Sequence, residues 1–127
     1  MKDYLLEEET YQIIGCCMEV HSELDFGFSE IVYKDVLEYE FKKNCIPFER
    51  EVRYQVHYKD AILRHEFYAD FVVFDTIIPE VKTVSELKEE HFEQTINYLV
   101  VSGMEVGLLV NFRKPKLQYK RVILTDR

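Results

Sequence analysis

Apolar residues recur at helical spacing over residues 7–24, where Ile13, Cys17, Val20 and Leu24 form one stripe with Ile14, Met18 and His21 beside it. Asp25-Phe26-Gly27 breaks that period, and Gly27 suits a turn. The spacing predicts a second helix from Ser29 to Asn44, with Glu30, Tyr33, Leu37 and Phe41 on one stripe. Past Pro47 the period changes. Val52, Tyr54 and Val56 alternate with Arg53 and Gln55, which predicts a strand over Phe48–Tyr58 closed by a Lys59-Asp60 turn. Ala61–Phe74 and Ile77–Lys82 follow as strands joined at Asp75-Thr76, so three strands form a meander. Helical spacing returns from Ser85 to Ser102 in two stripes. Phe92, Ile96 and Leu99 are expected to pack toward the core. Leu87, His91, Gln94 and Tyr98 form the other stripe. Gly103 closes that helix, Val106–Phe112 reads as a central strand, and Lys120–Leu124 reads as a last strand at an edge. The expectation is a single α/β domain over residues 1–127, with a central sheet flanked by helices.

Three charged groups interrupt the most apolar part of this pattern. Asp70 lies on one predicted strand, and Glu80 and Lys82 lie on the next. Alternation along a strand points Glu80 and Lys82 the same way. Ile77, Ile78, Pro79 and Val81 make their strand look buried. Two carboxylates and an ammonium are costly to bury without a use. A divalent cation resolves the carboxylate repulsion, and magnesium takes oxygen ligands at roughly 2.0–2.1 Å. Lys82 is then placed to orient a water or to stabilise charge on a phosphate. The plainer alternative is a surface hairpin with a solvated Glu–Lys pair.

Other polar residues point the same way with less force. Glu30 shares its stripe with three apolar or aromatic side chains, which makes it a third carboxylate for the same centre. A favourable place at the helix N-terminus is the competing account. Gln94 and Tyr98 are spaced to reach one phosphate or water. His91 is equally well read as part of an exposed polar face. His21, near an apolar stripe, reads as a satisfied core residue. Two expectations for substitutions follow. Lys82→Ala removes turnover and spares the fold. Asp70→Ala removes metal binding and, by relieving repulsion, raises metal-free stability.

Composition narrows the class. With 47% hydrophobic and 14% aromatic residues the 127-residue chain can bury one core. No segment is apolar and long enough to span a membrane, and the acidic start MKDYLLEEET lacks a signal peptide's apolar region. Cys16, Cys17 and Cys45 are odd in number and lack metal-binding spacing, which points to a reducing, cytoplasmic setting and away from zinc. A net charge of −8 argues against a non-specific nucleic-acid coat. The charge is uneven, however. Residues 1–40 hold eleven acids and two bases, whereas Arg113, Lys114, Lys116, Lys120, Arg121 and Arg127 face a single acid over residues 111–127. Such a basic edge suits a phosphate backbone locally.

The spacing Asp70-x9-Glu80-x-Lys82 resembles the PD-(D/E)xK nuclease signature. Gly27-Phe28-Ser29-Glu30-Ile31-Val32-Tyr33 resembles the G-x-x-E-x-x-Y pattern of the small bacterial GxxExxY proteins. Their other landmarks follow in order: Glu19-Val20-His21, Asp70, Glu80-Val81-Lys82, His91 with Gln94, Tyr98-Leu99, and Gly107 to Phe112. The resemblance runs from about Tyr11 to Leu124. It implies a restriction-endonuclease-like α-β-β-β-α-β core, here with an extra N-terminal helix and a mixed sheet. It also implies roles. Asp70, Glu80 and the Val81 carbonyl would hold Mg or Mn, Lys82 would be the catalytic lysine, and Glu30, Gln94 and Tyr98 would complete the site. Gln94 and Tyr98 match the Q-x-x-x-Y element of branches related to the RecB nuclease. Ala69 stands where the signature has proline, and Pro79 directly precedes Glu80. The implied activity is metal-dependent phosphodiester hydrolysis, with nucleic acid, DNA above all, as substrate. A homodimer is one source of specificity. The rival is a catalytically silent module that binds nucleic acid or a protein.

Overall fold

Two apolar cores form on the two faces of one sheet. In a computed structural model the chain is described over residues 5–126. The first four residues and Arg127, the last base of the basic C-terminal edge, lie outside the described residues. The order is α1 (Glu7–Leu24), α2 (Glu30–Lys43), β1 (Phe48–Tyr58), β2 (Ala61–Val73), β3 (Ile77–Lys82), α3 (Glu89–Ser102), β4 (Val106–Asn111) and β5 (Gln118–Ile123), with a 3-10 turn at Leu124–Asp126. The strands lie in the order β1-β2-β3-β4-β5. Only β3 and β4 run parallel, and α3 is the crossover between them. Strand β3 is therefore the middle strand, and β4 lies one in from the β5 edge.

The helix stripes explain the layers. Ile13, Cys17 and Val20 of α1 and Tyr33, Leu37 and Phe41 of α2 pack against Phe71, Val73, Ile77, Val81, Leu108 and Val110. Leu37 and Phe41 are fully buried, and each such side chain contributes about 1.5–3 kcal/mol. Burial pushes the Cys16 thiol up to about 11, with Glu40 adding to the effect, and pushes Cys17 further still. On the opposite face α3 meets Val72, Ile78, Leu109 and Val122. The expected stripe packs there, with Leu99 buried and Phe92 and Ile96 half-buried against the same core, and Thr95, outside that stripe, is fully buried beside them. Gly107 on β4 accounts for this. A Cβ there would meet Thr95 Cγ2 at 2.6 Å, so the missing side chain lets the helix close on the sheet at Thr95.

The turns also differ from the sequence expectation in two places. Phe74 and Asp75 both adopt left-handed backbone (φ 57 each), and Thr76 N–H donates to the Val73 carbonyl at 3.1 Å. The turn therefore centres on Phe74-Asp75 rather than Asp75-Thr76. A doubly left-handed pair matches the right-handed twist of a hairpin. Helix α3 starts at Glu89, not Ser85, because residues 83–88 are held out of helix by Asn111. The buried Asn111 side chain donates to the Val84 carbonyl at 2.8 Å and accepts from Val84 N–H at 3.1 Å. Its Nδ2 also donates to Gln118 Oε1 and its Oδ1 accepts from Arg113 N–H. A side-chain amide has just these four capacities, and all are used.

Candidate active site

Asp70 and Glu80 meet where β2 and β3 separate. The ladder between these strands holds the pair Val73–Ile77 next to the turn. Further along, the two carboxylates take the place of ladder bonds. Asp70 N–H donates to Glu80 Oε2 at 3.1 Å, and Val81 N–H donates to Asp70 Oδ2 at 2.8 Å. Alternation from Ile78 puts Glu80 and Lys82 on the face that carries α3. Pro79 is accommodated in this middle strand, facing Leu108 of β4; with no N–H to give, it contributes no donor to either neighbour.

Glu80 is 2% exposed, and its Oε1 has no hydrogen-bond partner. Burial first and the Asp70 charge second push its carboxyl well above the ordinary range. An orphaned, buried carboxylate oxygen beside a second carboxylate is what an oxygen-preferring cation would satisfy. Among the described residues no three Asp, Glu, His or Cys side chains converge as a ready cage. That suits magnesium, which is usually held by one or two carboxylates with waters and substrate phosphate completing the shell. The donor set of Asp70, Glu80 and the Val81 carbonyl fits such an ion.

The remaining expected residues gather around this pair. Lys82 Nζ donates to Gln94 Oε1 at 2.6 Å, which ties the strand to α3 although Gln94 is exposed. Tyr98, one turn further along α3, is half-buried, with its ring edge-on to Phe67 at 5.8 Å. Burial first, then Glu80, Asp70, Glu51 and Glu30, push its phenol far up, so it remains a hydrogen-bond donor. Glu30 is raised by burial and by Asp70, with Lys82 and Lys34 opposing, which places it in the same field.

His91 behaves differently. Its Nδ1 accepts the Lys88 N–H at 2.8 Å, so it caps α3 from the first turn. Leu87 precedes the helix altogether. His21 is buried, and its Nε2 donates to the Lys114 carbonyl at 2.8 Å, in keeping with a satisfied core residue.

Two members of the cluster escape a reading of the sequence. Lys34 is 7% exposed, and its ammonium donates to Asp70 Oδ1 at 3.0 Å and to Glu51 Oε1. Burial alone would lower this ammonium, but the hydrogen bonds to Glu51 and Asp70 outweigh it and hold it charged. Its position four residues after Glu30 is the available signal, since that spacing shares a helix face. Glu51 carries no such signal. Its backbone is left-handed (φ 54) in the middle of β1, a conformation that costs about 1–3 kcal/mol in a non-glycine residue.

The G-x-x-E-x-x-Y stretch now has a physical account. Gly27 sits at φ 120, open only to glycine without strain. Tyr33 Oη donates to the Asp25 carbonyl at 2.6 Å, and its ring stacks on Phe112 at 4.7 Å. Gly27 and Tyr33 thus fix the bend that delivers Glu30.

A family model of the PD-(D/E)XK nuclease superfamily matches residues 7–122, and the chain belongs to that superfamily. Its sheet and flanking helices are the restriction-endonuclease-like fold, with α1 added before the α-β-β-β-α-β core. The chain is similar to the crystal structure of SSO0001, with a TM-score of 0.60 and 22% identity over 74% of this chain and 50% of that one. The match thus spans half of that chain, and at this identity the likeness concerns the fold. Comparison with curated proteins finds no match. Nucleases of this superfamily generally use divalent metal ions and act on nucleic acid. No helix of the described residues is long and apolar enough to cross a membrane.

Proposed function

We propose that this chain hydrolyses phosphodiester bonds in nucleic acid, DNA in particular, with Mg or Mn as cofactor, as a member of the GxxExxY branch working in the cytoplasm. The observation that carries the reading is Glu80: a buried carboxylate with one oxygen unpaired, against Asp70, with Lys82 on the same face of the strand. Asp70, Glu80 and the Val81 carbonyl would hold the ion. Bound there, it would supply positive charge against the phosphate and ease deprotonation of water, an effect worth several kcal/mol.

The chain's own groups do the rest. Lys82, tethered by Gln94, orients the attacking water and stabilises charge on the phosphate. Tyr98 keeps its proton and donates a hydrogen bond to a phosphate oxygen. Glu30, on α2, would accept hydrogen bonds from water at the site. Phe26 and Phe28, each about half exposed, border the loop that delivers Glu30. Exposed aromatic rings stack on unpaired bases, which favours a branched or single-stranded substrate. Arg113, Lys116 and Lys120 are exposed and available to the backbone. Cleavage assays over linear, branched and single-stranded DNA, with Mg or Mn, test the proposal.

One observation favours the second reading, a catalytically silent binding module, alone or as a homodimer. Both Asp70 oxygens already have partners within the chain, Lys34 and Val81 N–H. A metal titration separates the readings, since a binding module has no need of the ion.

A further inference from the structure

Lys34 is the only cation hydrogen-bonded to a carboxylate of the site among the described residues, and it bridges two of them, Asp70 and Glu51. One of its partners is nearly buried and the other, Glu51, is 48% exposed. The ammonium is nearly buried, the Asp70 side chain is 13% exposed, and Glu51 reaches it from left-handed backbone in β1. Asp70 turns its two oxygens in different directions. Oδ2 takes Val81 N–H from the strand that carries Glu80, and Oδ1 takes Lys34. The carboxylate therefore stands between two positions where positive charge is needed. One is at Glu80, whose Oε1 is orphaned. The other lies between Asp70 and Glu51.

We propose that Lys34 is a built-in replacement for a second metal ion: its ammonium fills the cation position between Asp70 and Glu51, so the site accepts a single divalent ion at Asp70 and Glu80. This inference rests on the metal-dependent reading above. It assigns Lys34 and Glu51 as positioning residues. The pair neutralises the outer oxygen of Asp70, aims the carboxylate, and keeps a second divalent ion out. Two carboxylates sharing one position, with Glu30 in the same field, are enough to attract such an ion once the ammonium is removed.

Mn(II) titration of the purified full chain, with free ion counted by electron paramagnetic resonance, tests this without recourse to activity. The wild type is expected to take up one ion per chain. Lys34→Met keeps the aliphatic stem, removes the charge, and should take up two. Combining it with Glu51→Gln should return the count to one. Lys34→Arg keeps a cation in place and should stay at one, which keeps the proposal testable if Lys34→Met fails to fold. A wild-type count of two, one ion in a folded Lys34→Met, or two in Lys34→Arg overturns the replacement role alone. A wild-type count of zero overturns the metal reading itself, and this inference with it.

Discussion

Glu80 favours its protonated form in the folded chain. Its folded carboxyl titrates above the ordinary value of 4.5, through burial and then Asp70. The folded state therefore holds the proton more tightly than the unfolded chain does. The stability this group contributes is full below about pH 4.5 and is lost as pH rises through the raised folded value. In EDTA, the Tm of Glu80→Gln should gain on that of the wild type as pH rises from 4.5 to 8. A constant difference between the two across that range would contradict the account. A divalent ion binds the ionised form, so its stabilisation of the wild type should grow over the same range.

Asp70 is held by two contacts within the chain, although the sequence alone suggests that its removal relieves repulsion. Asp70→Ala strips Lys34 of one partner and leaves Val81 N–H without its acceptor. Metal-free Asp70→Ala should therefore lose about 1–3 kcal/mol in urea denaturation. Equal or greater stability would show that the Lys34 contact is worth nothing.

Between elements, the connections that place the site are short segments held by single side chains. Asn111 fixes residues 83–88 between Lys82 and α3, and so sets where Gln94 meets Lys82. Asn111→Ala should cost about 1–3 kcal/mol and raise hydrogen exchange at the Val84 amide, with β1 and β2 unaffected. Tyr33→Phe removes the hydroxyl that holds Asp25 but keeps the ring on Phe112. It should cost about 1 kcal/mol and lower activity through Glu30 placement. Unchanged kcat would separate the bend from the chemistry.

Over the whole molecule, what could be read from the sequence depended on whether a signal was periodic. Helices 7–24 and 30–43 follow from spacing, because each buries a regular stripe against one core, and the three-strand meander follows from apolar runs that serve both cores. Helix α3 begins four residues late because a buried asparagine at the far end of β4 captures its approach. That is a long-range contact with no local trace. The turn at Phe74-Asp75 was displaced by one residue because an aromatic in left-handed backbone runs against turn preferences. In the site, Asp70, Glu80 and Lys82 stood out as charges in an apolar stretch. Lys34 and Glu51 did not, because an ion pair between α2 and β1 is invisible until β1 lies beside β2.

The proposed metal-dependent nuclease activity rests on buried Glu80, half-buried Asp70 and Lys82. The most direct measurement compares wild type and Lys82→Ala on a panel of linear, branched and single-stranded DNA with Mg or Mn. Both proteins should show the same thermal unfolding. The wild type should cleave at least one substrate, and Lys82→Ala should be slower by at least about 100-fold, the lower range for loss of one donor that stabilises transition-state charge. Equal cleavage by the two proteins, or none by the wild type on DNA or RNA with either metal, would contradict the account.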